Sequence, residues 1–245
     1  MFLFPTMDDW FALLRRYETN PRPRGKLLKG YGQMACRAFI EDRFGATGKE
    51  TRILEMGHGF APDVMVAFQD KHDVWGVDDD QGKKYFNHID WSARYQTHIV
   101  SQCPSVTLRR GLVGSAERVA DLPEGYFDLI FSISIVEEVP EPVLAAIVAH
   151  AARLLKPGGW LIGTHDTRQD MIPERIEKYL RYHRDNGLCI DGAPCADDIF
   201  VDWRYAVVEH PDVVMLAYMH NQPFETRKYR GHFTTLFTAA QKRES

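Results

Sequence analysis

The chain has 245 residues, of which 44% are hydrophobic and 26% are charged, and this composition suits one large globular domain with a modest cap. Its formal net charge of −4 provides no general attraction for a phosphate backbone, so nucleic acid is disfavoured as a substrate. The N-terminus lacks the basic start of a signal peptide, no apolar run approaches the length of a membrane span, and the 4 cysteines suggest free thiols, so we expect a cytoplasmic protein.

The first 50 residues predict a helical cap. Apolar residues at helical spacing indicate a short amphipathic helix over 8–17, and a second helix is predicted over 33–44 with Gly45 as its stop. A loop rich in proline separates the two helices, so residues 1–50 are expected to form a unit ahead of the main domain.

From residue 52 onward, strand patterns and helix patterns alternate along the chain. Such alternation predicts parallel strands with crossover helices on both faces of a sheet. Two final strands predict a closing antiparallel pair, and the polar stretch 165–202 between strands is expected to lie where ligands bind. The predicted strands are 52–56, 73–77, 106–110, 127–133, 160–164, 213–219 and 233–238, and the main helices are 62–71, 143–155 and 173–186.

The first of these strands ends in an acid and two glycines, Glu55-Met56-Gly57-His58-Gly59. Glycine tolerates positive φ and carries no side chain, so the backbone at such a turn can come into contact with a ligand. About twenty residues later the second strand ends in Asp78, an acid that suits the two hydroxyls of a ribose. The pattern predicts a nucleotide-like cofactor, and the alternative is a strand-turn-helix unit with a structural glycine pair.

The order of these motifs resembles that of class I S-adenosylmethionine-dependent methyltransferases, in the type-11-like branch that acts on small molecules or glycans. The resemblance is carried by Glu55–Gly59, Asp78, Gly114–Glu117, Phe127–Ser132 and the helix-stop-strand passage Leu154–Leu161. It implies a Rossmann-like three-layer α/β/α sandwich, with a seven-stranded, mostly parallel sheet whose last strand is antiparallel. It also implies one methyltransferase domain over 51–245 with an acceptor-side insertion at about 165–202.

The resemblance further implies S-adenosylmethionine as cofactor and S-adenosylhomocysteine as product. No metal is expected, because Asp78-Asp79-Asp80 suits ribose binding and a solvated turn better than a convergent set of metal ligands. Ser115 stands where relatives usually have an Asp that accepts from the adenine amino group, so the backbone amide of Ala116 is the expected substitute. The residues expected to contact the cofactor are Glu55, Gly57, His58, Gly59, Asp78, Asp79, Ser115, Ala116 and Ser132.

Methyl transfer requires alignment of donor and acceptor in a site free of water, and a base only for a poor nucleophile such as a hydroxyl. His165 after the fifth strand and Glu138 after the fourth are the expected catalytic residues, because open α/β sheets bind ligands at the carboxyl ends of their strands. The alternatives are a structural hydrogen bond for His165 and a helix-entry position for Glu138. These side chains suit a hydroxyl acceptor, so oxygen is preferred and nitrogen is close behind.

Two other functions fit part of the pattern. A nicotinamide-dependent oxidoreductase shares the strand, turn and distal acid, but its fingerprint requires a third glycine where Pro62 stands. A non-catalytic methyltransferase-like module that binds a partner is the second alternative. Nothing in the sequence specifies the oligomeric state.

Overall fold

The computed structural model describes most of the chain. The described residues are 2–3, 5–17, 27–45, 51–59, 62–78, 95–114, 121–136, 139–168, 172–190, 208–209 and 232–244. The helices are α1 (Met7–Tyr17), α2 (Leu27–Phe44), α3 (Asp63–Phe68), a π-helical turn (Tyr95–Val100), α4 (Glu141–Leu154) and α5 (Ile172–Asp185). The strands are β1 (Phe2–Leu3), β2 (Arg52–Met56), β3 (Asp73–Asp78), β4 (Thr107–Arg110), β5 (Phe127–Ile133), β6 (Leu155–Arg168), β7 (Leu188–Cys189), β8 (Val208–Glu209) and β9 (His232–Lys242).

One mixed sheet contains all nine described strands, and seven of them follow the order β1-β9-β6-β5-β2-β3-β4. Five neighbouring strands of this order, β6, β5, β2, β3 and β4, are mutually parallel. Strand β9 pairs antiparallel with β6. Strands β1, β7 and β8 all pair antiparallel with β9. The predicted mostly parallel sheet with an antiparallel last strand is therefore confirmed, and the strand predicted at 213–219 lies outside the described residues.

The two faces of the sheet carry separate cores. In β5, Leu129 and Phe131 pack with residues of α1, α2 and α3, whereas Ile130 packs with α4 and α5. This division follows from the strand geometry, because successive side chains point to opposite faces. Helices therefore cover both faces, as the predicted three-layer sandwich requires.

The largest differences from the predicted boundaries are at the starts of β6 and α2, and β6 and β9 also end four residues later than predicted. Strand β6 begins at Leu155, directly after α4, rather than at residue 160, because Gly158 at φ +75° carries the chain through a register shift opposite β5. Helix α2 begins at Leu27 rather than residue 33. Gly32 lies inside this helix, where it faces the sheet. A Cβ at this position would lie 2.5 Å from Thr164 Oγ1, so the missing side chain allows α2 to pack this closely on the sheet.

Candidate functional site

The glycine turn after β2 has the predicted conformation. Gly57 and Gly59 have φ values of +71° and +55°, in the left-handed region that other residues rarely adopt. The Gly57 amide donates to the Val77 carbonyl at 2.8 Å, and the Gly59 amide donates to Asp78 Oδ2 at 2.8 Å. The turn and the acid at the end of β3, which are separated in the sequence, thus form one hydrogen-bonded unit.

The two glycines face different surroundings. A Cβ at Gly59 would meet nothing within 4 Å among the described residues, whereas a Cβ at Gly57 would lie 2.8 Å from Ile135 Cγ1. Ile135 therefore covers one side of the turn, and no described residue covers the other side, at Gly59. The sequence analysis missed Ile135, because it follows the end of β5 and belongs to no periodic pattern.

Glu55 and His58, two of the predicted cofactor contacts, are only 2% exposed. His58 Nδ1 lies 3.1 Å from the Gly59 carbonyl, which can only accept, so Nδ1 carries the proton of this bond. Burial lowers the pKa of His58, while the Asp78 carboxylate and the Gly59 bond oppose that shift. A Cβ at Gly76 would lie 3.0 Å from His58 Cδ2, so a glycine in β3 provides the space into which this ring packs.

The end of β5 contributes two serines. Ser132 pairs in register with Met56 of β2 and is buried, and within the described chain its Oγ has no hydrogen-bond partner. Ser134 has a φ of 52°, which is uncommon for a residue other than glycine, and its amide donates to the Thr164 carbonyl. Local strain of this kind concentrates at functional sites, and here it lies beside the crevice between β2 and β5.

Four predicted site residues cannot be placed. Asp79, Ser115, Ala116 and Glu138 lie outside the described residues. Their cofactor and catalytic functions stay predictions.

His165, the predicted base, is only 3% exposed and lies under α5. Its Nε2 is 3.0 Å from Thr238 Oγ1, and its Nδ1 is 2.9 Å from the Tyr179 hydroxyl. Thr238 donates onward to the Gly163 carbonyl at 3.4 Å, so its oxygen accepts from Nε2–H. In the neutral ring, Nδ1 then accepts from Tyr179, and both nitrogens are engaged inside the protein.

A small cavity adjoins this polar group. It measures ≈ 20 Å³, roughly the space of one water molecule, and Ser132, His165 and Tyr179 are among its lining residues. His183 also lines it, and burial lowers the pKa of His183 to about 4. The described residues around His165 thus leave space for about one water molecule, and an acceptor would not contact its ring directly.

The described residues form neither a metal site nor a membrane-spanning helix. In these parts of the chain, no three His, Cys, Asp or Glu side chains converge as a metal site would require. No helix within them has the length and apolar character needed to cross a bilayer.

Comparison with known proteins identifies the central segment. Residues 54–163 match the family model described as a methyltransferase domain. A ubiquinone biosynthesis O-methyltransferase of Burkholderia vietnamiensis is 28% identical over a stretch covering 40% of this chain and 47% of that protein. The match thus spans about half the length of this relative.

Solved structures share the architecture over nearly the whole chain. The [4+2]-cyclase SpnF has a TM-score of 0.58 at 16% identity and covers 99% of this chain and 98% of its own. Geranyl diphosphate C-methyltransferase from Streptomyces coelicolor A3(2), solved with Mg²⁺, geranyl diphosphate and S-adenosylhomocysteine, has a TM-score of 0.50 at 16% identity, and the match covers 98% of this chain and 88% of that chain. At identities this low, the similarity shows a shared fold alone. Residues 54–163 therefore match the methyltransferase-domain model, and the chain shares the Rossmann-like fold of these solved structures.

Proposed function

We propose that this protein transfers a methyl group from S-adenosylmethionine to a small-molecule or glycan-type acceptor, with oxygen as the preferred atom. The observation that carries the proposal is the 2.8 Å bond from the Gly59 amide to Asp78 Oδ2. It joins the glycine turn to the strand-end acid beside the crevice between β2 and β5, where the strand order reverses and ligands bind in open α/β sheets.

The described residues fit this cofactor at two points. The Asp78 carboxylate stands at the end of β3, where it suits the hydroxyls of a ribose. The open side at Gly59 leaves room for a ligand to approach the backbone, since a Cβ there would meet no described atom within 4 Å. The family match over residues 54–163 supports the same cofactor.

The cofactor, when bound, supplies an electrophilic methyl group on a sulfonium. The contribution of this chain is to align the two reactants and to exclude water. Asp78 and the turn at Gly57 and Gly59 orient the donor, and Ile135 shields one side of the turn. Because positive charge disperses during such a displacement, these residues need not stabilise a new anion.

His165 and Glu138 are proposed as the bases that remove the proton from a hydroxyl acceptor. In the described arrangement, the lone pair on His165 Nδ1 accepts from Tyr179, so an acceptor's proton would reach His165 only through the Tyr179 hydroxyl. Glu138 follows β5 in the sequence, at the edge where the cofactor is expected. The name of the Burkholderia relative, an O-methyltransferase, supports oxygen as the acceptor atom.

The first test is isothermal titration of the purified protein with S-adenosylmethionine, S-adenosylhomocysteine and NAD. We expect micromolar binding of the first two and none of NAD. Binding of NAD alone would overturn the proposal in favour of an oxidoreductase.

A second assay separates catalysis from binding. S-adenosylmethionine with a labelled methyl group is incubated with a panel of phenols, quinols and sugars, and label in the acceptor is measured. We expect transfer to a hydroxyl. Binding of the cofactor without transfer to any acceptor class would favour the non-catalytic module instead.

A further inference from the structure

A buried histidine on α4 holds the segment that follows β4. His150 Nδ1 lies 3.0 Å from the backbone nitrogen of Gly114, and the histidine is buried. A backbone N–H can only donate, so Nδ1 must be the unprotonated nitrogen of the ring. A second proton on the ring would sit on Nδ1, so Nδ1–H and the Gly114 N–H would face each other as two donors with no acceptor between them.

The held segment, residues 111–114, reaches the cofactor end of the sheet. At its start, the Gly111 amide donates to the backbone carbonyl of Asp78 at 2.9 Å. At its end, Gly114 has a φ of +83°, and a Cβ there would lie 2.4 Å from the backbone nitrogen of Ile147 in α4. The segment is therefore tied to Asp78 at one end and pressed against α4 at the other.

We infer that His150 is a positioning residue of the cofactor site: its neutral ring holds residues 111–114 in place, and its protonation releases them and weakens cofactor binding. The inference rests on the proposed function, because its readout is affinity for S-adenosylmethionine. His150 acts through Gly114, Gly111 and the end of β3.

The charged groups around His150 set the direction of the pH effect. Burial lowers the pKa of His150 below its ordinary 6.5, Arg153 lowers it further, and Glu124 opposes the shift. Arg153 and Glu124 are themselves paired at 3.2 Å. If the bound form excludes the proton, affinity falls as pH drops through the pKa of His150, by up to about tenfold per pH unit below it.

The test measures the dissociation constant of S-adenosylmethionine by titration calorimetry between pH 5 and 8 for the wild type, His150→Asn and His150→Leu. Asparagine carries its amide oxygen at the δ position, where it can accept from Gly114 without titrating. We expect His150→Asn to bind within about threefold of wild type at pH 8 and to lose less affinity on acidification. His150→Leu, which leaves the Gly114 amide without its acceptor, is expected to bind roughly tenfold more weakly at every pH.

His58 also titrates near the cofactor, but it is present in all three proteins, so only the difference between their profiles reports on His150. In the wild type, the Gly114 amide resonance should follow the ring titration, and this readout does not depend on a variant that folds. Coincident pH profiles for wild type and His150→Asn, or wild-type affinity in His150→Leu, overturn the inference while the proposed function stands. Absence of binding by the wild type at every pH overturns the proposed function and the inference together.

Discussion

The open side of the glycine turn makes a specific prediction for Gly59→Ala. At φ +55° an alanine pays the cost of the left-handed region, about 1–2 kcal/mol. Its methyl group would meet no described protein atom within 4 Å, so no steric cost adds to the strain. The same methyl group would occupy the space that the cofactor is proposed to use. We therefore expect a modest loss of stability together with a loss of at least roughly tenfold in affinity for S-adenosylmethionine.

Gly125→Ala is the matched control. Gly125 has a φ of +60°, and a Cβ there would also meet no described atom within 4 Å, but it precedes β5 at the opposite end of that strand from the turn. Both variants should lose about 1–2 kcal/mol, which lowers the melting temperature by roughly 2–8 °C in a domain of this size. Only Gly59→Ala should lose cofactor affinity.

Thermal unfolding and calorimetric titration of both variants provide the comparison. If Gly59→Ala bound S-adenosylmethionine as tightly as Gly125→Ala, the cofactor would not approach the turn at Gly59, and the placement of the site would be refuted. Gly57 is less suitable for this test, because its Cβ would press on Ile135 and disturb packing as well.

Three further outcomes are expected. Asp78→Asn keeps the shape of the side chain but loses its charge, so calorimetry should show cofactor binding weakened by about 1.5–3 kcal/mol; unchanged affinity would place the ribose elsewhere. Burial lowers the pKa of His183 from 6.5 to about 4, so stability present above pH 6.5 is lost as pH falls toward 4, by up to roughly 3 kcal/mol. Urea unfolding at pH 7 and 4.5 should show a smaller loss for His183→Asn, and equal losses would contradict this. Tyr179→Phe should cost about 1 kcal/mol of stability in urea unfolding without changing cofactor affinity, whereas weaker binding would join this polar group to the cofactor site.

The fold could be predicted because hydrophobic periodicity and glycine placement are local features of the sequence, and few sheet topologies are compatible with them. The alternation of strands and helices after residue 52 requires crossovers, and crossovers produce a parallel sheet. The start of α2 could not be predicted, since the two glycines at 30 and 32 favour a loop by propensity. Packing overrides that preference, because the bare backbone at Gly32 lets the helix rest on Thr164.

The site was predictable only in part. The turn and Asp78 follow from the chemistry of glycine and carboxylate, but their direct bond is a tertiary contact. The burial of His165 could have been predicted from the alternation along β6. Residues 161, 163 and 165 share one face of this strand, and Leu161 is a core residue. His150 likewise lies in the apolar stripe of α4, three residues after Ile147, and a histidine there indicates a buried polar partner.

Strand β9 has a consequence for how the chain folds. It pairs with β6 along its length and with β1 at Phe2↔Thr238 and Leu3↔Phe237, so two distant segments of the chain meet at this edge. Pairing β1 with β9 joins residues more than 230 positions apart, whereas the other pairings of the sheet, including β6 with β9, join residues roughly 20 to 80 positions apart. The β1 pairing therefore carries the largest loop-closure entropy among the described strands. The β1 strand is therefore expected to join the sheet last, after β9 has paired with β6, and the strands that carry the glycine turn can assemble without it.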